Sequence, residues 1–127
     1  KRYIKQTWAM LRQHKLSHLA PRVVLTGVSF DDDHLGAMSY DRTTGRYFAY
    51  YNEKVHAGFH GTGDIFTATV LGAMMQGRTL EQAVTLAVDF TLECIRCTCA
   101  DPAASWYGVE FEKALPWLAR QNNAGAE

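Results

Sequence analysis

The chain has 127 residues, of which 47% are hydrophobic and 20% are charged, and 13 basic residues balance 13 acidic ones. This composition predicts one small domain over residues 1–127, and it argues against a disordered chain and against a nucleic-acid surface, which needs a basic excess. No apolar stretch reaches the ~20 residues of a membrane span, and the first residues do not have the pattern of a signal peptide. The odd number of cysteines favours a reducing cytoplasm.

The first third of the chain predicts a helix followed by a strand. Apolar residues at i, i+4 and i+7 indicate an amphipathic helix from residue 2 to about residue 14. The residues of this spacing are Ile4, Trp8 and Leu11. The β-branched, apolar run at 23–25 is typical of a parallel strand buried inside a sheet, and Gly27 marks its end. A helix leading into such a strand indicates α/β layering.

A β-hairpin is predicted next. Two runs rich in strand formers, residues 35–40 and 46–51, flank a polar connection in which Gly45 suits a positive φ. The hairpin tyrosines suit its surface, although an aromatic shelf for a nucleotide is the alternative. They are Tyr40, Tyr47, Tyr50 and Tyr51. The aspartates at 31–33 before the hairpin predict a solvated turn rather than a Mg²⁺ site, because such sites take separated carboxylates.

The second half predicts three helices. Residues 65–75 form an apolar helix that ends with Gly77 in the C′ position. Thr79 and Gln82 form a capping box that begins a second helix, which runs to about Cys97. Its inner side is predicted to consist of Ala83, Val84, Ala87, Val88, Thr91, Leu92 and Ile95. A third helix is predicted over 109–115, with Pro116 stopping or kinking it.

The three cysteines, Cys94, Cys97 and Cys99, have the spacing C-x₂-C-x-C. A zinc site usually has four ligands, and no histidine lies close in the sequence. The favoured interpretation is therefore that Cys94 and Cys97 are small thiols packed at the end of a helix.

Gly61, Thr62, Gly63 and Asp64 precede the apolar helix. Glycines leave backbone N–H groups uncovered, and a helix start adds unpaired N–H groups and the positive end of its dipole, so this loop predicts an anion cradle. A carboxylate at its rim is explained if it accepts the proton of an attacking hydroxyl during phosphoryl transfer. The helix behind would hold the loop by being packed on every side. The alternative is that Asp64 or Thr62 only caps the helix.

The stretch HGTGDIF, residues 60–66, followed by an apolar helix of small residues, resembles the C-terminal signature of the ribokinase-like superfamily. The threonine between the glycines resembles the pyridoxal kinase branch, since sugar kinases more often have alanine there. Hydroxymethylpyrimidine phosphate kinases tend to have cysteine where this chain has Asp64. The strand at 23–27, the pair Lys54-Val55 and the segment 107–118 extend the resemblance over nearly the whole chain.

The resemblance implies a three-layer α/β/α sandwich and ATP-dependent phosphorylation of the 5′-hydroxymethyl group of pyridoxal, pyridoxine or pyridoxamine. Asp64 would be the catalytic base that contacts this hydroxyl. The loop before it would be the anion hole for the γ-phosphate, through Gly61, Thr62 and Gly63. The ATP site would include Thr26, Gly27, Lys54 and Val55. Mg²⁺ would bridge the phosphates, and a monovalent cation such as K⁺ and a homodimer are also implied.

In one respect the chain departs from the pattern: such kinases are roughly twice as long, and their vitamin pocket lies mostly in the N-terminal half. No Asn-x-x-Glu metal segment precedes the helix either. The chain therefore resembles the C-terminal half of a kinase and is expected to be inactive alone. His60 would meet a phosphate or a substrate ring, or be a packed loop histidine. A sugar or hydroxymethylpyrimidine kinase, a non-catalytic nucleotide-binding module and an oligomerisation piece are the alternative functions.

Overall fold

The computed structural model describes residues 2–55, 59–104 and 108–125. Tyr107, part of the segment used for the resemblance, lies outside them. The described elements, in chain order, are α1 (Arg2–Leu16), β1 (Arg22–Val28), β2 (His34–Asp41), β3 (Arg46–Glu53), α2 (Thr62–Met75), α3 (Leu80–Ala100), a short 3₁₀ helix (Glu112–Ala114) and α4 (Leu115–Gly125). None of the helices in these ranges is long and apolar enough to cross a membrane.

The described strands form one antiparallel sheet in the order β1-β2-β3. Helix α1 covers one face and α3 covers the other, which gives the three layers expected from the sequence. The prediction of a parallel strand inside the sheet is wrong within these ranges, because β1 lies at an edge and runs antiparallel to β2. Only residues 29–33 connect the two strands, and a parallel pair needs a crossover of a dozen or more residues.

A β-bulge near the end of β1 changes which face its side chains occupy. The register with β2 shifts between Thr26 and Val28, and Gly27 between them has a φ of +66°. One extra residue reverses the alternation of faces. As a result Val28 packs in the same buried cluster as Leu25, on the α1 side of the sheet.

The predicted hairpin is confirmed as β2 and β3. Gly45 has a φ of +70°, as its position in the turn requires. Asp41 accepts hydrogen bonds from the backbone N–H and the hydroxyl of Thr43, and the hydroxyl contact in particular lowers the pKa of this carboxyl. The aspartate run before the hairpin is a turn, in which Asp31 accepts from the backbone N–H groups of Asp33 and His34.

The hairpin tyrosines pack within the protein. Tyr47 donates its hydroxyl to the Met10 carbonyl at 3.1 Å, and its ring lies 4.4 Å from that of Tyr40. Tyr50 donates to Asp89, and Tyr51 packs edge-on against Phe30. These contacts attach the hairpin to helices on both faces of the sheet.

Helix α1 forms as predicted, but a different face contacts the sheet. Trp8 and Leu11 are 66% and 65% exposed, whereas Ala9 and Gln13 are buried. Gln13 donates its side-chain amide to the Met38 carbonyl at 2.5 Å, which anchors the helix to β2. The spacing of the apolar residues identified the helix but not the face that packs on the sheet. On that face the small side chain of Ala9 permits the close approach of α1 to the strands.

The turn between α2 and α3 confirms two sequence predictions. Gly77 has a φ of +90°, and the N–H groups of Gly77 and Arg78 close the helix end on the carbonyls of Met74 and Ala73. Thr79 begins α3, and its capping box with Gln82 is present in both directions. The two helices pack together along their lengths.

The prediction that α2 is packed on every side is wrong for the described residues. Only Phe66 and Ala73 of α2 are buried, while Leu71 and Met75 are 60% and 80% exposed. Helix α3 and the sheet cover one side of α2, and no other described element covers the opposite side.

The third helix begins later than predicted. A 3₁₀ turn precedes α4, and Pro116 is the second residue of α4 rather than the residue that ends a helix. Proline is tolerated there because first-turn N–H groups have no partner inside the helix.

Cys94 packs as the sequence predicts, Cys97 is half-buried and Cys99 is exposed. Cys94 is fully buried, and burial raises the pKa of its thiol to about 12. All three thiols are free, and no group of three metal-binding side chains is found in the described ranges.

Candidate functional site

A cleft of about 270 Å³ opens where the end of the sheet meets the first turns of α2 and the middle of α3. Its wall combines the bulge of β1, the start of β2, the end of β3 and the inner side of α3. The lining residues are Thr26, Gly27, Leu35, Gly36, Asn52, Glu53, Val55, Phe59, Thr62, Gly63, Phe66, Val88, Thr91, Leu92 and Ile95. A largely apolar cleft with a few polar groups is typical of a small-molecule site.

Five of the residues predicted for the site line this cleft together. They are Thr26, Gly27, Val55, Thr62 and Gly63. Lys54 does not line it, and its backbone N–H extends the hairpin by donating to the Asp33 carbonyl at 2.9 Å. The tyrosines of the hairpin do not line it either, so within the described residues they form no aromatic shelf.

The start of α2 has the geometry of a glycine-led helix end. Gly61 is the N-cap residue with a φ of +93°, which an L side chain rarely adopts. The first helical hydrogen bond runs from the Ile65 N–H to the Gly61 carbonyl at 3.1 Å. The N–H groups of Thr62, Gly63 and Asp64 therefore lie in the first turn, where no carbonyl of the helix can accept from them.

The alternative in which Asp64 or Thr62 caps this helix is wrong. The cap position is occupied by Gly61, and no side-chain cap hydrogen bond is present. Asp64 is the third helical residue and its side chain is exposed. Its carboxylate is left to interact with the helix dipole or with a ligand.

Asp64 faces a different cavity from the two residues before it. It borders a groove of about 450 Å³ between α2, α3 and the C-terminal helices, together with Ile65, Phe90 and Phe111. Successive helical residues are rotated by about 100°, so Thr62 and Gly63 face the cleft while Asp64 points away from it. The first turn of α2 thus separates the cleft from the carboxylate.

The loop before α2 is tied to the C-terminal segment. His60 and Gly108 form an isolated parallel bridge, with the Val109 N–H donating to the His60 carbonyl at 3.2 Å. A Cβ at Gly61 would lie 3.8 Å from Cγ1 of Val109, so the loop runs close to this segment. The His60 side chain is exposed, which removes the interpretation as a packed histidine.

Among the lining residues that the sequence interpretation did not assign to the site, two bear on its shape and polarity. Gly36 lies where a Cβ would overlap the Tyr50 carbonyl, and a glycine inside a strand run is a known signal of such close approach. Asn52 lines the cleft from the end of β3, and nothing in its local sequence marks it.

The three layers, with a glycine loop leading into a helix beside a cleft, agree with the ribokinase-like fold implied by the sequence resemblance. The family model of phosphomethylpyrimidine kinase matches residues 4–105. The chain therefore belongs to the phosphomethylpyrimidine kinase family. No curated protein matches it.

Solved structures show the same fold. A Bacteroides thetaiotaomicron protein described as a phosphomethylpyrimidine kinase is 29% identical over 92% of this chain and 39% of its own, with a TM-score of 0.79. A second crystal form of that protein contains pyridoxal. It is 28% identical over 90% of this chain and 41% of its own, with a TM-score of 0.80.

More distant structures share the fold alone. Pyridoxal kinase from Lactobacillus plantarum is 21% identical over 81% of this chain and 37% of its own, with a TM-score of 0.69. Plasmodium falciparum PdxK, solved with AMP-PNP and PL, is 18% identical over 87% of this chain and 38% of its own, with a TM-score of 0.71. The chain thus spans about two fifths of the length of the structures it matches.

Proposed function

We propose that this chain is the C-terminal, nucleotide-binding part of an ATP-dependent kinase that phosphorylates the 5′-hydroxymethyl group of a vitamin B6 compound. The observation that carries the proposal is the first turn of α2. Thr62 and Gly63 of this turn line the cleft and their N–H groups have no acceptor within the helix, while Asp64 borders the groove on the other side. A phosphoryl group held at this turn would lie between a nucleotide and a hydroxyl acceptor.

In this proposal the cleft holds ATP. Its apolar part would take the base, with Val55 in the wall, and the phosphates would extend toward Thr26, Gly27 and the start of α2. Lys54 follows the hairpin directly and would contact the nucleotide from outside the cleft. The family membership and a neighbour solved with AMP-PNP both support a nucleotide here.

The loop and the carboxylate would divide the chemistry. The N–H groups of Gly61, Thr62 and Gly63, with the positive end of the α2 dipole, would stabilise the charge that spreads over the γ-phosphoryl oxygens. Asp64 would accept the proton of the attacking hydroxyl as its oxygen bonds to phosphorus and the bond to ADP breaks. Because Asp64 makes no cap hydrogen bond, this proton transfer would not disturb the helix end.

Mg²⁺ would neutralise the phosphates when bound. The described residues offer no cluster of three metal-binding side chains. Thr26 and Gly27 both line the cleft and would contact the phosphates or a monovalent cation such as K⁺.

Hydroxymethylpyrimidine phosphorylation is the second candidate function, and the family match favours it. Two observations support vitamin B6 instead. The chain has Thr62 between the glycines and Asp64 after them, as in the pyridoxal kinase branch, and a relative at 28% identity was solved with pyridoxal. Both substrates present a hydroxymethyl group on a heteroaromatic ring, so the chemistry of the acceptor alone does not separate them.

The test is steady-state kinetics on the full-length protein with pyridoxal, pyridoxine, pyridoxamine and hydroxymethylpyrimidine as acceptors. We expect kcat/KM to be highest for one of the first three. A preference for hydroxymethylpyrimidine would transfer the proposal to the second candidate, and ATP binding without transfer to any acceptor would indicate a non-catalytic module.

Two further measurements address the extent of the chain. We expect the 127-residue chain alone to show no vitamin-dependent ADP release, and robust release would contradict its assignment as part of a longer kinase. We also propose a cytoplasmic homodimer for the full-length protein, for which sedimentation at several concentrations is the test.

A further inference from the structure

A carboxylate on α3 holds one side chain of the cleft wall in place. Oδ1 of Asp89 accepts a hydrogen bond from the Tyr50 hydroxyl at 2.8 Å and another from Nδ2 of Asn52 at 2.8 Å. Tyr50 and Asn52 are two positions apart on β3, so both project toward the face that α3 covers. Asp89 thereby ties the end of β3 to the middle of α3.

The acceptor character of Asp89 fixes the direction of the Asn52 carboxamide. A carboxylate only accepts hydrogen bonds, so the NH₂ group of Asn52 must face α3. Its carbonyl oxygen accepts from the backbone N–H of Glu53 at 2.7 Å, which favours the same orientation. Burial, followed by the contact with Asp89, raises the pKa of Tyr50 to about 12, so the phenol stays a donor to the same carboxylate.

These contacts use half of the hydrogen-bonding capacity of the carboxamide. Among the described residues, one N–H of Asn52 donates to Asp89 and one lone pair of its oxygen accepts from Glu53. The group can still donate one hydrogen bond and accept one. Asn52 lines the cleft beside apolar residues such as Leu35, Leu92 and Ile95. An apolar wall with a carboxamide that retains one donor and one acceptor suits the edge of a planar heteroaromatic ring.

Adenine and guanine differ at that edge. Adenine presents a ring nitrogen acceptor beside its amino donor, which an asparagine carboxamide matches with two hydrogen bonds. Guanine presents its carbonyl acceptor where adenine has the amino donor. A carboxamide free to rotate by 180° would match either base, whereas one held in a single direction matches only one order of donor and acceptor.

We infer that Asn52, held in one direction by Asp89, recognises the base of the nucleoside triphosphate and selects adenine over guanine. Asn52 would contact the base, and Asp89 would be a positioning residue that acts through it. The inference rests on the proposed nucleotide cleft, but it does not depend on phosphoryl transfer or on the role of Asp64.

The test compares equilibrium binding of AMP-PNP and GMP-PNP to the full-length protein without acceptor. We expect the wild type to bind AMP-PNP about 10- to 100-fold more tightly, the usual range for a two-bond base contact. Asn52→Leu should weaken AMP-PNP binding until the two dissociation constants are similar. Asp89→Asn, which can donate as well as accept, should lower the ratio while both nucleotides still bind.

Tyr50→Phe is the matched control. It removes the other hydrogen bond to the same oxygen of Asp89 but leaves Asn52 held, so the ratio should stay as in the wild type. A ratio that falls equally in this variant would mean that the network is merely structural and would overturn the positioning role. If Asn52→Leu does not fold, Asp89→Asn carries the test, and a folded Asp89→Asn with the wild-type ratio overturns the inference.

The failure of this inference differs from the failure of the proposed function. A wild type that transfers phosphate but binds the two nucleotides equally, or an Asn52→Leu variant with an unchanged ratio, would overturn only the role of Asn52. A wild type that binds neither nucleotide would overturn both. Binding with the expected ratio but no phosphoryl transfer would leave base recognition standing and remove the kinase proposal.

Discussion

Replacing Asp64 by asparagine in the full-length protein separates a catalytic carboxylate from one that only stabilises a helix end. The side chain is exposed in the first turn of α2 and forms no cap hydrogen bond, so few native contacts are lost. Its interaction with the helix dipole is worth about 0.3–1 kcal/mol. A change of that size lowers the melting temperature by about 4 °C at most in a protein of this class.

The effect on turnover should be far larger if Asp64 is the base. Loss of a positioned proton acceptor lowers kcat by about 10²–10⁴-fold, or roughly 3–5 kcal/mol in the chemical step. The apparent affinity for ATP should change little, because the N–H groups of the loop remain, and it should not weaken when a negative charge beside the phosphates is removed. Steady-state kinetics and melting curves on the same preparations measure both quantities.

Glu81→Gln is the matched control, because Glu81 is the acidic residue in the first turn of α3. This variant should lose a similar small amount of stability through the dipole of its own helix and keep normal turnover. A folded Asp64→Asn protein with near-normal turnover would refute the assignment of Asp64 as the base. A loss of turnover in both variants would show that first-turn charge, rather than proton transfer, is what matters.

Four further outcomes follow from the packing. Gly36→Ala should lower the free energy of unfolding by about 1–3 kcal/mol in urea titrations, because its Cβ would overlap the Tyr50 carbonyl; an unchanged midpoint would contradict this close approach. Thr79→Ala should cost about 0.5–2 kcal/mol through loss of the cap of α3, with Thr79→Ser as the variant that retains stability. The pKa of Cys94 is about 12 in the folded protein, against an ordinary value of 9.0. The free energy of unfolding should therefore be constant below pH 9 with respect to this group and fall between pH 9 and 12, because the thiol ionises first in the unfolded chain. Cys94→Ala should flatten this fall. In native protein a thiol reagent should modify exposed Cys99 before Cys94, and equal rates would contradict the burial.

The parts of the structure that depend on neighbouring residues were predictable. The capping box at Thr79, the positive φ of Gly45 and the helix end at Gly77 each follow from interactions within about five residues. The loop from Gly61 to Asp64 is also local, because its glycines and the apolar helix after it are visible in the sequence, but the preference for an anion cradle over a cap came from the family resemblance.

The errors concern contacts between distant segments. The apolar run of β1 indicated a strand inside a parallel sheet, but its place was decided by its short connection to β2. The spacing of Trp8 and Leu11 indicated a helix but not which face packs, and the buried face carries Ala9 and Gln13 instead. Apolar residues alone do not fix orientation, because much of a protein surface is also apolar.

The sequence by itself therefore determined the α/β class, the hairpin, the turn between α2 and α3, and the presence of the glycine loop with its carboxylate, because each depends on local spacing. Only the tertiary structure decided that the first turn of α2 divides a cleft from the Asp64 carboxylate. It alone also brought Asp89 to Asn52, 37 positions apart in the chain. Such pairs depend on how the sheet and α3 pack, and that packing is a property of the whole core rather than of any segment.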